Sequence, residues 1–315
     1  MPVSKNGNTI KKYYPNKIFF FYIKMTNRCN LKCTICSQEA HQKELDYLSY
    51  EEICKGIDTI LPDIVHLGIS GGEPFVRYED TVKIFQKYSL LIPGKVNIFT
   101  NGTIPIKDFN DFINAKGEKP LFKVSIDGIE EDHDKIRGKG RYQQTINFID
   151  LLEKNGFPFT IQSVIDESYI ENDGEKLINF YNSFKKYKFL TLHDCTPPRV
   201  CGRFATKEHF DRFLNTVQQY LDIFAKHNIN HHICEYCPLR DEEYIDYYTE
   251  ISIDEQGYVA PICLVGHDRF FPYEEYSQNK YYEYLNNYIK SIDMKKVPQY
   301  ICPLKYKEGT NIHVG

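Results

Sequence analysis

Short apolar runs alternate with longer amphipathic segments through the first two thirds of the chain. The apolar runs are mostly continuous rather than alternating, which is typical of parallel strands buried on both faces. They predict strands at 18–25, 64–70, 96–100, 121–126, 157–164 and 189–194.

The segments between these runs have the spacing of amphipathic helices. The first opens with Ser49-Tyr50-Glu51-Glu52, where a serine followed three residues later by a glutamate forms a capping-box pattern. The predicted helices are 49–61, 79–90, 106–116, 143–154, 174–187 and 207–227.

Six strand–helix units in series predict an α/β fold with a parallel sheet and right-handed crossovers. Six units rather than eight indicate an open, partial (βα)6 barrel of the TIM-like kind. Ligands of parallel α/β folds bind at the carboxyl ends of the strands, so motifs that follow the strands should share one location.

The strand–helix rhythm stops after Ala225. Further on, residues 250–263 predict a β-hairpin around an Asp-Glu-Gln-Gly turn. We therefore expect an N-terminal extension (1–17), a barrel core (18–227) and a small cysteine-rich domain (228–315).

Composition narrows the classes of function. The formal net charge of −4 gives no electrostatic reason to expect binding to nucleic acid or to an anionic membrane. The sequence contains neither a signal peptide nor an apolar stretch long enough to span a membrane. Ten cysteines in such a chain indicate metal or redox chemistry, and we expect a reduced, cytoplasmic protein.

Three cysteines follow the first predicted strand with the spacing C-x3-C-x2-C: Cys29, Cys33 and Cys36. Three thiolates on one short loop can hold three irons of a cubane iron–sulfur cluster and leave the fourth iron open to a small molecule. A zinc site is the alternative, although structural zinc sites favour paired C-x2-C units.

The run Thr26-Asn27-Arg28-Cys29-Asn30-Leu31-Lys32-Cys33 resembles the cluster loop of the radical S-adenosylmethionine (SAM) superfamily. The resemblance implies that SAM chelates the open iron of a [4Fe–4S] cluster. Electron transfer then yields methionine and a 5′-deoxyadenosyl radical, which abstracts hydrogen from the substrate. Ile35 stands where the family usually has an aromatic residue near the adenine, which implies an apolar contact there.

The second predicted strand is followed by Gly71-Gly72-Glu73-Pro74, which resembles the GGEP motif of that family. The resemblance implies that these residues bind the SAM amino group. Two glycines let the backbone approach a ligand closely, although a Gly-Gly turn before a helix has the same pattern.

Later strand ends carry the remaining candidates. Asn101 belongs to a Thr-Asn-Gly turn that resembles a family turn lining the pocket, and Ser125 is a candidate for the SAM ribose or carboxylate. Asp127 is interpreted as a turn cap. Arg137 resembles a family arginine near the SAM carboxylate, with a solvated surface arginine as the alternative, and Gln162 is placed facing into the barrel.

The last third contains Cys234, Cys237, Cys263 and Cys302. With the hairpin, they resemble the auxiliary-cluster extensions called SPASM or, when shorter, twitch domains. The resemblance implies a single second [4Fe–4S] cluster, and an all-thiolate zinc site is the alternative. If all four cysteines bind the cluster, an electron-relay role is favoured. If Cys302 is not a ligand, one iron stays open and could bind substrate.

Members of the superfamily with such extensions mostly modify peptides, which favours a peptide or protein substrate. The alternative is a small-molecule dehydrogenase or rearrangement enzyme of the aminocyclitol or nucleotide type, and a non-catalytic zinc module is a third interpretation. A reductant such as flavodoxin or ferredoxin is implied. Only 17 residues precede the first strand, so we expect a separate protein to bind any leader peptide.

Overall fold

A computed structural model describes residues 17–36, 48–165, 167–196, 218–229, 231–232, 250–254, 256–260 and 269–291.

The strands of the described chain form one sheet in the order β10-β9-β8-β1-β2-β3-β4-β5-β6-β7. The strands are β1 (Ile18–Lys24), β2 (Ile64–Ser70), β3 (Val96–Thr100), β4 (Leu121–Ser125), β5 (Phe159–Val164), β6 (Leu190–Thr196), β7 (His231–His232), β8 (Glu250–Ile253), β9 (Tyr258–Ala260) and β10 (Phe271–Pro272). Strands β1 to β6 pair in parallel with their sequence neighbours, which confirms the six predicted strands and the open parallel barrel.

Helices connect the strands: α1 (Tyr50–Ile60), α2 (Tyr78–Tyr88), α3 (Glu130–Arg137), α4 (Arg141–Lys154), α5 (Glu171–Ser183), α6 (218–227) and α7 (Gln278–Ser291). Regular helix in α5 begins only after Gly174, because residues 172–174 have positive φ angles. Of the predicted helix 207–227, only the part from residue 218 is described.

One predicted helix is wrong. Instead of a helix over 106–116, the chain forms a loop with a single short 3₁₀ turn at Phe109–Phe112. The side chain of Asp108 accepts a hydrogen bond from the backbone N–H of Asn110, and Asn114 accepts from the N–H groups of Lys116 and Glu118. Such side chain–backbone hydrogen bonds compete with the backbone hydrogen bonds of a helix. This segment therefore forms a loop although its apolar residues have helical spacing.

Helix α3 is the converse case, because no helix was predicted there. Three acidic residues in its first turn and two basic residues in its last turn complement the helix dipole. Gly138, with φ of 113°, ends it.

An aromatic core lies between the sheet and the helices. The ring of Phe75 contacts those of Tyr78, Phe112, Phe122 and Phe148, with ring centroids between 5.7 and 6.4 Å away. Aromatic pairs at such spacing add to the stability gained from apolar burial. This layer fixes the strands whose carboxyl ends carry the predicted site.

The predicted hairpin is confirmed as β8 and β9, which pair antiparallel. The turn is closed by Asp254, whose Oδ1 accepts hydrogen bonds from the N–H groups of Gln256 and Tyr258. Strand β8 also pairs in parallel with β1. The hairpin therefore extends the barrel sheet directly beside the strand that leads into the cysteine loop.

In the part of the chain that the structure describes, every helix is too short or too polar to cross a membrane.

The capping box of α1 provides a stability test. Ser49 Oγ accepts from the Glu52 N–H at 3.2 Å, and the Glu52 carboxylate accepts from the Ser49 N–H at 2.7 Å. Changing Ser49→Ala leaves an N-terminal N–H without its acceptor, and we expect about 1 kcal/mol lower unfolding free energy in urea titration. Thr59→Ala, near the exposed end of the same helix, is the control and should not destabilise the protein. Equal effects of the two changes would refute the assigned cap.

Candidate active site

The cysteine loop and the glycine turn are joined by their backbones. The N–H of Gly72 donates to the carbonyl of Thr26 at 2.8 Å, and the N–H of Glu73 donates to the carbonyl of Arg28 at 2.9 Å. These bonds continue the pairing of β1 with β2 beyond the ends of both strands. Two motifs whose bonded residues lie 45 and 46 positions apart in sequence thereby form one structural unit.

Gly71 is required by this close approach. Its φ angle is +145°, and a Cβ atom added there would lie 2.5 Å from the carbonyl oxygen of Thr26. The sequence assigned this glycine to ligand approach, whereas the structure shows backbone packed against it. Pro74 then begins a short 3₁₀ turn, and its carbonyl accepts from Thr81 Oγ1 at 2.9 Å.

Cys29, Cys33 and Cys36 are free and partly exposed on the loop. Burial raises the pKa of the Cys29 thiol to about 11, although a hydrogen bond from the Leu31 N–H at 3.4 Å opposes the rise. Among the described residues, no three cysteine, histidine or acidic side chains converge on a point suited to a single metal ion. In a cubane cluster each thiolate binds a different iron, so the three cysteine sulfurs do not need to converge on one point as the ligands of a single metal ion do.

The loop is anchored on its far side by α3. The N–H of Thr34 donates to the carbonyl of Ile136 at 3.0 Å. The next residue, Ile35, is 40% exposed. Its position leaves an apolar surface available between the second and third cysteines.

The carboxylate of Glu73 faces inward, and the residue is only 1% exposed. It accepts hydrogen bonds from the N–H of Phe75 at 3.2 Å, from Thr100 Oγ1 at 2.9 Å and from the N–H of Asn101 at 2.7 Å. Burial raises its pKa to about 7, against the opposing effect of these bonds. This side chain links the glycine turn to the end of β3, and its carboxylate is committed to bonds within the protein.

Asn101 lies beside the first cysteine. Its Nδ2 is 2.9 Å from Asn30 Oδ1 and 3.8 Å from Cys29 Sγ. Thr103 completes a ring of hydrogen bonds among Asn30, Asn101 and Thr103. Its hydroxyl donates to Asn101 Oδ1 at 2.6 Å and accepts from Asn30 Nδ2 at 2.8 Å. The predicted pocket turn thus contacts the cysteine loop through side chains.

Arg137 and Asp127 form a buried ion pair, with Nε to Oδ2 at 2.6 Å and side-chain exposures of 13% and 0%. The alternative of Arg137 as a solvated surface residue is therefore wrong, because α3 places its guanidinium against a buried carboxylate. Asp127 is not a local turn cap either, since its Oδ1 accepts from the N–H of Val164 on β5. Burial raises the pKa of the Cys33 thiol, and the guanidinium of Arg137 opposes that rise.

Ser125 and Gln162 are brought together by the sheet. They are register partners at the ends of β4 and β5, so their side chains share a face. Their neighbours Val124 and Ile161 are fully buried in the helix-facing core, which places Ser125 and Gln162 on the concave side. Both are partly exposed, as expected for residues lining a barrel interior.

Asn27 belongs to the run that resembles the cluster loop, but no role was predicted for it from the sequence. The residue is 4% exposed, and neither atom of its amide group has a hydrogen-bond partner among the described residues. A buried amide with unused donor and acceptor capacity is costly, and a bound ligand can satisfy it. The sequence signal was its place in that run, two residues before the first cysteine.

A family model described as the radical SAM superfamily matches residues 23–181, just over half of the chain. The chain belongs to the radical SAM superfamily. Membership makes it an enzyme and implies SAM and a [4Fe–4S] cluster as cofactors. Every motif discussed above from Cys29 to Gln162 falls inside the matched segment.

Curated relatives match this radical SAM segment. The chain is 31% identical over 154 residues to the antilisterial bacteriocin subtilosin biosynthesis protein AlbA of Bacillus subtilis, covering 47% of this chain and 33% of AlbA. It is equally 31% identical over 154 residues to the AdoMet-dependent heme synthase of Methanosarcina barkeri, covering 47% and 42%. The match thus spans less than half the length of either relative.

Among solved structures, Streptococcus suis SuiB bound to the precursor peptide SuiA has a TM-score of 0.68 at 18% identity. The alignment covers 95% of this chain and 72% of SuiB. SuiB bound to S-adenosylmethionine aligns with a TM-score of 0.66. At this identity the likeness concerns the radical SAM fold alone.

The predicted auxiliary ligands Cys234, Cys237, Cys263 and Cys302 lie outside the described residues, so their assignment stays a prediction.

The contact between the two radical SAM motifs can be tested at Gly71. We expect Gly71→Ala to lower the unfolding free energy by at least about 1–3 kcal/mol, because the methyl group would collide with the Thr26 carbonyl. Gly117→Ala is the matched control, since Gly117 also has positive φ but nothing within 4 Å of an added Cβ. Denaturant titration of both variants would show the difference, and equal losses would contradict the close packing.

Proposed function

We propose that this radical SAM enzyme modifies a peptide or protein substrate. When bound, the [4Fe–4S] cluster supplies the electron that cleaves SAM, and the resulting 5′-deoxyadenosyl radical abstracts hydrogen from the substrate. The observation that supports radical SAM chemistry is the backbone pairing of the cysteine loop with the glycine turn, which brings the three thiols of the proposed cluster site next to the proposed SAM-binding turn.

The residues present fit the two cofactors. Cys29, Cys33 and Cys36 would hold three irons, because they lie on one partly exposed loop between the glycine turn and α3. The unpartnered side-chain amide of Asn27, in the segment that leads into the cysteine loop, offers both a hydrogen-bond donor and an acceptor. Both groups suit the amino and carboxylate ends of an amino-acid ligand.

The other predicted residues take supporting roles in the proposal. The exposed side chain of Ile35 would contact the adenine, and the backbone of Gly71 to Pro74 would receive the SAM amino group. Ser125 and Gln162, adjacent on the concave face, would contact the ribose or the carboxylate. Asn101 would fix the turn beside them.

Arg137 would act mainly through charge. Its guanidinium is held by the buried carboxylate of Asp127, so it keeps one orientation next to the cysteine loop. A fixed cation there favours the thiolate form of Cys33, which is the form that binds iron. The same cation can attract the SAM carboxylate.

We further propose that Cys234, Cys237, Cys263 and Cys302 bind one auxiliary [4Fe–4S] cluster that accepts an electron from the substrate radical. The support is the hairpin that precedes Cys263, which pairs with β1 and so lies beside the strand leading to the catalytic loop. An external reductant of the flavodoxin or ferredoxin type would supply the first electron.

A peptide substrate is supported by what similar proteins do. AlbA is named for biosynthesis of the bacteriocin subtilosin, and SuiB has been solved with its precursor peptide. The second candidate is a small-molecule substrate, which the equal identity to a heme synthase favours.

Anaerobic reconstitution with iron and sulfide tests the reaction class. We expect about eight irons per chain, corresponding to two cubanes, and formation of 5′-deoxyadenosine from SAM under reducing conditions. Cys33→Ala should abolish that product and lower iron by about four per chain, because one ligand of the catalytic cluster is lost. Cys54→Ala is the control, since Cys54 is a buried thiol on α1. Retained 5′-deoxyadenosine in Cys33→Ala would refute the assignment.

The auxiliary cluster is tested separately with Cys263→Ala. We expect up to about four irons fewer per chain, SAM cleavage partly retained, and loss of turnover on the peptide. Cys302→Ala distinguishes a cluster with four cysteine ligands from a cluster with one open iron. Full iron content and full turnover in this variant would favour an open iron that binds substrate. Zinc in place of a second cluster would refute the auxiliary assignment.

A further inference from the structure

The side chain of Asn101 has all of its hydrogen-bonding groups engaged within the protein. One Nδ2 proton points to Asn30 Oδ1, and the same nitrogen lies 3.8 Å from Cys29 Sγ. Its Oδ1 accepts from both the N–H and the hydroxyl of Thr103, at 2.9 and 2.6 Å. The side chain is therefore committed to the cysteine loop rather than to a ligand.

The direction of the amide group is determined by this network. Two donors of Thr103 face one end of the amide, so that end must be the oxygen. The NH₂ end then faces Asn30 Oδ1 and the sulfur of Cys29, and a flipped amide would set donor against donor. Asn101 is mostly buried, which protects these bonds from competition with water.

Cys29 Sγ receives a second N–H, from the backbone of Leu31 at 3.4 Å. Hydrogen bonds to cluster sulfurs are a recognised determinant of iron–sulfur reduction potential. A donor stabilises the extra negative charge of the reduced cluster, so it makes reduction easier and raises the potential. The backbone donor exists whatever the sequence, whereas the Asn101 donor depends on one side chain.

We propose that Asn101 is a positioning residue whose N–H group, held against the Cys29 sulfur by Thr103 and Asn30, raises the reduction potential of the catalytic cluster. The inference rests on the proposed function, because it requires a cluster bound to Cys29. The turn at the end of β3 would then influence the reduction potential of the cluster as well as line the pocket. The enzyme would thereby tune how readily its cluster takes up the electron needed for SAM cleavage.

The test is a redox titration of the reconstituted full-length chain, followed by electron paramagnetic resonance without SAM. The relevant signal is the one that changes when SAM is added to a parallel sample. Asn101→Leu removes the donor with a neutral side chain of similar size, and we expect a more negative midpoint potential at unchanged iron content. Asn101→Asp, which adds a negative charge at the same place, should shift the potential further in the same direction.

Thr103→Val is the matched control. It removes a hydroxyl from the same ring, but the Thr103 backbone N–H still holds Asn101 Oδ1, so the amide keeps its direction. We expect a potential close to that of the wild-type protein. A shift as large as that of Asn101→Leu would assign the effect to packing of the ring and overturn the inference.

Two further outcomes separate the inference from the proposed function. An unchanged potential in both Asn101 variants, with the cluster loaded, overturns the inference alone. Absence of any SAM-responsive cluster signal in the wild-type protein overturns the proposed function and the inference with it. If Asn101→Leu does not retain the cluster, the midpoint potential of Asn101→Asp decides: a more negative value supports the inference, and an unchanged value overturns it.

Discussion

The site depends on backbone pairing that continues past the ends of β1 and β2. Hydrogen bonds from Gly72 and Glu73 to the carbonyls of Thr26 and Arg28 leave the cysteine loop no independent position. Arg77 reinforces the junction, since its Nη1 donates to the carbonyl of Met25 at 2.8 Å. The proposed function requires an open iron and a SAM-binding turn to meet within ångströms, and main-chain bonds provide that accuracy without relying on mobile side chains.

Buried carboxylates complete the arrangement. Glu73 and Asp127 are each almost fully buried, and each accepts backbone N–H groups from the end of another strand. Such burial is unfavourable unless every oxygen is satisfied, and here the partners come from separate motifs. Each carboxylate therefore forms its bonds only when the strand ends are correctly aligned, which couples the fold to the geometry of the site.

The electrostatic environment of the cysteine loop follows from the same contacts. Arg137 approaches the loop from α3, and Asn101 approaches from the end of β3. A cation and an amide donor around the thiols both favour negative charge on sulfur. The glycine turn, the helix and the neighbouring strand end thus serve one chemical requirement, although they are distant in sequence.

The sequence by itself determined the strands, the order of the motifs and the cysteine spacing. These features are local, since buried parallel strands and ligand spacing are visible in runs of a few residues. Helix boundaries were less secure, and residues 106–116 were mispredicted because Asp108 and Asn114 bond to nearby backbone.

Only the tertiary structure decided what the polar side chains do. It turned Glu73 inward, buried Arg137 against Asp127, and joined Asn101 to Asn30 across 71 residues of chain. It also left the amide of Asn27 buried and unpartnered among the described residues, a state that no pattern in the sequence announces. The physical reason is that a polar side chain's role depends on which donors, acceptors and charges the fold brings within about 3 Å, and those partners are set by strand register rather than by neighbours in sequence.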